Sequence, residues 1–194
     1  MTAPTWSVVV RRFPLVTVST PRLLVRPLVA ADAAMVSDVF GDRQARRWLP
    51  VPEEYGLADG AAWCTELAEW RRERGDGDHF AIVRRIDDRL VGCVWNRRTD
   101  WGAASTEVSF AVAAPVRGYG LAAEAVDVLA VALLLEHGFQ RVELRIASGN
   151  VAARRVAEKA GFRYEGLLRN AGYVPSGRVD VESWSLVAAD LTAP

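Results

Sequence analysis

Three β-rich runs follow one another between His79 and Ala113, and a glycine-bearing turn then delivers the chain into its longest apolar helix. The runs are "HFAIVRR", "RLVGCVWNR" and "STEVSFAVA", and Asp87–Asp88 supplies the turn between the first two. The glycine turn is "VRGYGLAAEA", Val116 to Ala125. Such a connection is either an ordinary tight turn or an anion cradle. The first amides of a helix have no intrahelical partner and lie at the positive end of its dipole. Glycine lets a phosphate approach that backbone closely.

Around this unit the pattern reads β-α-α-β-β-β-α-β-α-β-β, a mixed α/β or α+β sheet domain. "RLLVRPL" is the first core strand, Asp32 is placed to cap a helix through "AAMVSDVF", and "RRWLPVPEEYG" reads as a loop. One helix is expected from about Asp59 to Arg74, with Trp63, Leu67 and Trp70 on its buried face. Gly138 should stop the long helix, and Asn150 and Gly161 should bound a shorter one. "RVDVESWSLVA" alternates as a closing strand. Residues 1–17 read as an extension or added strand, and 18–191 as a single domain.

Composition removes several functions. The 194 residues balance 24 basic against 24 acidic side chains, so the charge excess of a general nucleic-acid binder is missing. Cys64, Cys93, His79 and His137 are isolated, which argues against a metal site and fits a reducing compartment. Arg11 and Arg12 follow the short apolar run "WSVVV", the wrong order for a secretory signal. Leu121 to Leu135 carries Glu124 and Asp127, so no membrane span is expected there. A cytoplasmic protein with no nucleic-acid and no membrane partner is the expectation.

Two ligand readings compete for the glycine turn. From Gly118, "GYGLAA" fits a dinucleotide fingerprint, which calls for an acidic residue at the end of the next strand. Arg145, Ala147, Ser148 and Gly149 stand there instead. The stretch from Arg117 to Arg169, "RGYGLAAEAV…HGFQRVELRIASGNVAARRVAEKAGFRYEGLLR", resembles the acyl-CoA-binding half of the GNAT N-acetyltransferase superfamily. "TPRLLVRPLVAADA" and "RVDVESWSLVAADL" resemble the opening and ending of the branch that acetylates N-terminal amines of ribosomal proteins. The resemblance spans residues 18–191.

That resemblance implies a GNAT-type fold: a mixed, mostly antiparallel, splayed sheet flanked by helices on both faces. It implies acetyl-CoA as donor, its pyrophosphate on the backbone of Arg117, Gly118, Tyr119, Gly120, Leu121 and Ala122. The pantetheine arm would pair like a strand with Phe110, Ala111 and Val112. Asn150 matches a cofactor-contacting asparagine, and is equally a plain N-cap. Arg154, Arg155 and Lys159 are candidates for the 3′-phosphate, against solvated helix charges; Arg155 is the one retained. Homodimers are common in the family.

Acyl transfer to an amine needs a neutral amine, a donor for the oxyanion and a proton for the leaving thiolate. Glu107 is the candidate base, on one strand face with Ser109 and Ala111; a solvent-facing strand glutamate is the rival reading. The family's acid is missing, because Ala153 and Ala157 stand where a serine or a tyrosine would be, leaving Tyr164 and Tyr173 as substitutes. An α-amine, with a pKa of about 7.7–8.0, costs only about 1 kcal/mol to neutralise at pH 7, against roughly 4–5 for lysine. Weak acid–base equipment therefore suits an α-amine of a peptide or protein N-terminus, or another low-pKa small-molecule amine. Trp48, Tyr55, Trp95 and Trp101 are candidate walls of an acceptor cleft, with Glu53, Glu54, Arg97 and Arg98 as its charges. An acyl-CoA-binding protein without turnover, and a longer donor such as succinyl-CoA, are the alternatives.

Overall fold

The computed structural model describes residues 11–192. Strands β1 (Val18–Ser19), β2 (Leu23–Pro27), β3 (His79–Arg84), β4 (Arg89–Asp100) and β5 (Ser105–Val112) pair antiparallel in chain order. β6 (Arg141–Ala147) joins β5 in parallel. β8 (Gly177–Leu186) lies between β6 and the edge strand β7 (Arg163–Val174), antiparallel to both. The result is the expected mixed, mostly antiparallel sheet, with eight strands where the sequence pattern has seven.

Helices cover the two faces unequally. α1 (Ala33–Gly41) and α3 (Leu57–Cys64) pack Val36, Val39, Phe40 and Cys64 against Ala81, Cys93 and Trp95. On the other face α5 (Leu121–Leu135) buries Ala125, Val126, Leu129 and Leu133 against Phe80, Ile82, Val94, Val108 and Leu144. α6 (Val151–Lys159) adds Ala157 to that second core. The near-continuous apolar sequence of α5 follows from its position, because it is enclosed by both β2–β6 and α6. It ends as expected: Gly138 adopts φ +76° and the Phe139 amide reaches back to the Leu133 carbonyl at 3.1 Å.

The helical layer before β3 departs from expectation. "RRW" is not loop but the end of α2 (Arg43–Trp48), capped by the Asp42 carboxylate on the Gln44 amide at 2.9 Å. Asp32 does not cap α1. Its carboxylate turns back to Arg26 at 2.7 and 3.0 Å and to the Val29 amide at 2.9 Å. The single helix expected over 59–74 is two, α3 and α4 (Glu66–Glu73), broken at Thr65 with φ −117° and ψ −83°. Gly60 explains the break. It lies so close to α1 that a Cβ there would stand 2.5 Å from the Ala33 carbonyl, which fixes α3 on a line α4 does not continue. The buried positions are consequently Gly60, Cys64 and Ala68, while Trp70 is exposed.

Residues 1–10 of the expected extension lie outside the described residues. Residues 11–17 form no strand, yet Phe13 and Val16 are fully buried in the second core, and the Phe13 amide donates to the Arg72 carbonyl at 2.9 Å. No described helix is long and apolar enough to cross a membrane.

Candidate active site

The sheet splits at its centre. β5 and β6 pair from Ser105 with Arg141 to Val108 with Leu144 and no further. β5 continues along β4 to Val112, and β6 continues along β8 to Ala147. From Ser109 on one strand and Arg145 on the other, the facing edges diverge. Alternating N–H and C=O groups of Ser109, Phe110, Ala111 and Val112 face a gap that an extended chain can enter as a strand.

The gap leads to the glycine turn. Gly118 and Gly120 hold φ of +87° and +81°, a left-handed backbone that side chains with a Cβ adopt only at a cost. Among the described residues no group accepts from the amides of Gly118 through Ala122. The turn is braced from behind. Arg22 donates to the Tyr119 carbonyl at 3.1 Å and to Glu124 at 2.7 Å, and Thr20 also bonds Glu124. The Arg117 guanidinium is used structurally, bonding Asp42 and the Val112 carbonyl at 3.2 Å, so what Arg117 can offer a ligand is backbone. That pairing holds the Asp42 carboxyl below the usual range.

Gap and turn are parts of one cleft of about 720 Å³. Phe110, Ala111, Val112, Arg117, Gly118, Gly120, Leu121, Ala122, Asn150 and Arg155 all line it. Tyr119 does not; its side chain is exposed and only its backbone belongs to the turn. Asn150 accepts the Ala153 amide at 3.2 Å, so its capping role is real, and it stands at the cleft as well. Arg154 is unavailable to a phosphate: it bonds Glu182 at 3.1 Å, and Glu182 also accepts the Trp184 indole N–H at 3.1 Å. Arg155 and Lys159 line the cleft.

Glu107 is 2% exposed and lies in register with Arg97 of β4. It accepts from Arg97 Nε at 2.8 Å and from Arg98 at 3.0 Å. Adjacent strand residues point to opposite faces, so both arginines can reach one carboxylate only because β4 is irregular there. Its register slips between Arg97 and Asp100, and Arg98 sits at φ +53°. The acceptor-side charges expected at Arg97 and Arg98 are thus already matched to Glu107, although both side chains line the cleft.

Of the four aromatics proposed as acceptor walls, only Trp48 lines the cleft, with Leu49 and Pro50 beside it. Tyr55 packs edge-on against Phe40 at 5.5 Å, with burial raising its pKa. Trp95 packs against Phe40 and Trp63 because β4 is covered on both faces. Trp101 turns to the far end of the sheet and meets Phe13 and Phe139. Glu53 and Glu54 are exposed and outside the cleft. Ala153 lines it and Ala157 is core, so neither supplies a proton. Tyr173 lines the cleft, whereas Tyr164 packs on Trp184 at 5.3 Å. Sequence reasoning passed over Arg145 and Ser109 as binding groups; alternation along "RVELRIA" was the available signal, because it sets Arg145 on the strand's polar face.

The strand order and the gap at its centre are those of an acetyltransferase domain. The chain is a member of the GNAT acetyltransferase family: the description "Acetyltransferase (GNAT) domain" matches residues 22–163. A probable N-acetyltransferase of Bacillus subtilis, YjcK, is 34% identical over 152 residues, covering 76% of this chain and 83% of the relative. The putative ribosomal N-acetyltransferase YdaF of the same organism is 27% identical over 167 residues, covering 85% and 91%. Among solved structures, Mycobacterium smegmatis RimJ in complex with CoA-disulfide superposes with a TM-score of 0.80 at 22% identity, covering 88% of this chain and 84% of that one.

Proposed function

We propose that this acetyltransferase takes acetyl-CoA as donor and moves the acetyl group directly to a primary amine of low pKa, on a peptide or protein N-terminus or a small molecule. The observation that carries the donor is the open β5 edge running into the unpartnered amides of Gly118–Ala122. Acetyl-CoA supplies the acyl group as a reactive thioester. The chain's part is to hold it. Ser109–Val112 offer backbone to its extended arm, the glycine turn offers N–H groups to its pyrophosphate, and Asn150, Arg155 and Lys159 stand along the same cleft.

The chemistry at the acyl end rests on weak equipment. Glu107 is the proposed base although it does not itself line the cleft; its carboxylate is buried and held by two guanidinium groups, so it acts through a bridging water. With its oxygens engaged by two arginines and no acid at Ala153 or Ala157, the site suits an α-amine, which costs about 1 kcal/mol to neutralise at pH 7 against roughly 4–5 for lysine. Every charged side chain lining the cleft is cationic. Arg97 and Arg98 are matched by Glu107 and Arg117 by Asp42, so Arg145, Arg155, Lys159 and Arg178 carry the charge that opposes an ammonium there. Tyr173, largely exposed but lining the cleft, is the candidate to return a proton.

The test is thiol release from acetyl-CoA with a panel of amines, succinyl-CoA being run alongside as donor. Glu107→Gln should lower kcat about 10²-fold at pH 7 and leave the KM for acetyl-CoA unchanged. The deficit should shrink as pH rises past the amine's own pKa, where no base is needed. Donor binding without turnover across the panel would reject the transferase reading, and robust lysine ε-acetylation without α-amine activity would reject the acceptor.

A further inference from the structure

Resting on that reading, we infer that the acceptor carries an oxyanion near its amino group, a carboxylate or a phosphate, and that Arg145 binds it. Arg145 is the first residue of β6 beyond the last pair with β5, so it stands where the gap begins. By alternation it shares a face with Glu143 on its own strand and lies beside Ser183 across the β6–β8 ladder. It lines the cleft.

The carboxylates on this face are taken by other arginines. Glu107 is bonded by Arg97 and Arg98. Glu143 is bonded by Arg141 at 2.6 Å, and Arg141 also holds Glu165 at 2.8 Å. Glu165 is further fixed by the Ser185 hydroxyl at 2.7 Å, and its pKa is pulled down to about 2, chiefly by the Arg141 hydrogen bonds. Among the described residues Arg145 has no ion-pair or hydrogen-bond partner for its guanidinium. A planar five-donor cation at the apex of a ligand gap is suited to a bidentate oxyanion.

That oxyanion belongs to the acceptor and not to the donor. The donor's phosphates have their own site at the glycine turn, past the end of β5. Val108 to Val112 alone spans about 13 Å of extended strand, which separates Arg145 from that turn. Arg145 therefore lies at the acyl end. A cationic acceptor such as a polyamine would find no lining carboxylate there to pair with.

The test compares matched acceptors on the unmodified protein by thiol release from acetyl-CoA. One pair is an α-amino acid against its carboxamide, the other phosphoethanolamine against ethanolamine; the two arms distinguish carboxylate from phosphate. Per unprotonated amine, which corrects for the higher basicity an adjacent anion confers, one anionic member should be preferred over its neutral partner by about tenfold or more in kcat/KM, the scale of a hydrogen bond to a charged group. Arg145→Gln should raise the KM for that acceptor by a similar factor, well beyond any change in the KM for its neutral partner or for acetyl-CoA, and be partly rescued by Arg145→Lys. Equal rates within both pairs, or a change confined to the KM for acetyl-CoA, overturn the inference while leaving the transferase reading intact. Absence of thiol release with every amine overturns both.

Discussion

The two halves of the sheet, β1–β5 and β6–β8–β7, meet the same α5 on one face and differ on the other. Behind β3, β4 and β5 stand α1 and α3, so these strands are buried on both sides and read as continuous apolar runs, "HFAIV" and "LVGCVW". Behind β6, β8 and β7 no described helix lies, and β6 alternates: Arg141, Glu143 and Arg145 on one face, Val142, Leu144 and Ile146 on the other. The first half is built for packing. The second presents a charged strip beside the place where the halves part. The site arises where a doubly covered sheet meets a singly covered one.

The largest effect expected of this contrast is on stability. Phe80→Ala in β3, at a fully buried ring, should cost about 3–5 kcal/mol in urea unfolding. Ser183→Ala on the open face of β8 should stay within about 0.5 kcal/mol. Equal costs would break the comparison.

Next is acid sensitivity, which belongs to the first half. His79 is fully buried, stacks on Trp63 at 3.9 Å and donates from Nδ1 to the Trp63 carbonyl. Burial pushes its pKa down to about 3. Unfolded, it would titrate near the ordinary value of about 6.5. Its contribution is therefore complete above about pH 6.5 and declines as pH falls toward about 3. Between pH 7 and 5 the protein should lose about 2 kcal/mol by this route, and His79→Gln should flatten the slope measured in parallel urea titrations. Glu165 in the second half, held near 2, stays ionised throughout that window. The smallest effect is Glu165→Gln, which breaks a partly exposed pair with Arg141. It should cost less than about 1 kcal/mol and less still at high salt.

The contrast was half legible in the sequence. Apolar runs, the glycine turn and Asn150 act locally, through periodicity and backbone geometry, so the succession of elements followed from them, while the cleft residues were implied by the family resemblance. The helical layer was misread because Thr65 carries no breaker signal; the close packing of Gly60 on Ala33 decides that bend, and such an approach is a tertiary fact. Trp95 and Trp101 were assigned to the acceptor side because residue type does not report which face a strand buries. The Arg97–Arg98–Glu107 clamp depends on a one-residue slip in β4 that neighbouring sequence does not announce.

Phe13 packs against Trp101, from the turn after β4, and Phe139, which leads into β6, and those two rings also meet each other. The three rings close the end of the β5–β6 seam opposite the cleft. A segment that precedes the first match to the family at residue 22 is therefore part of what joins the two halves of the sheet.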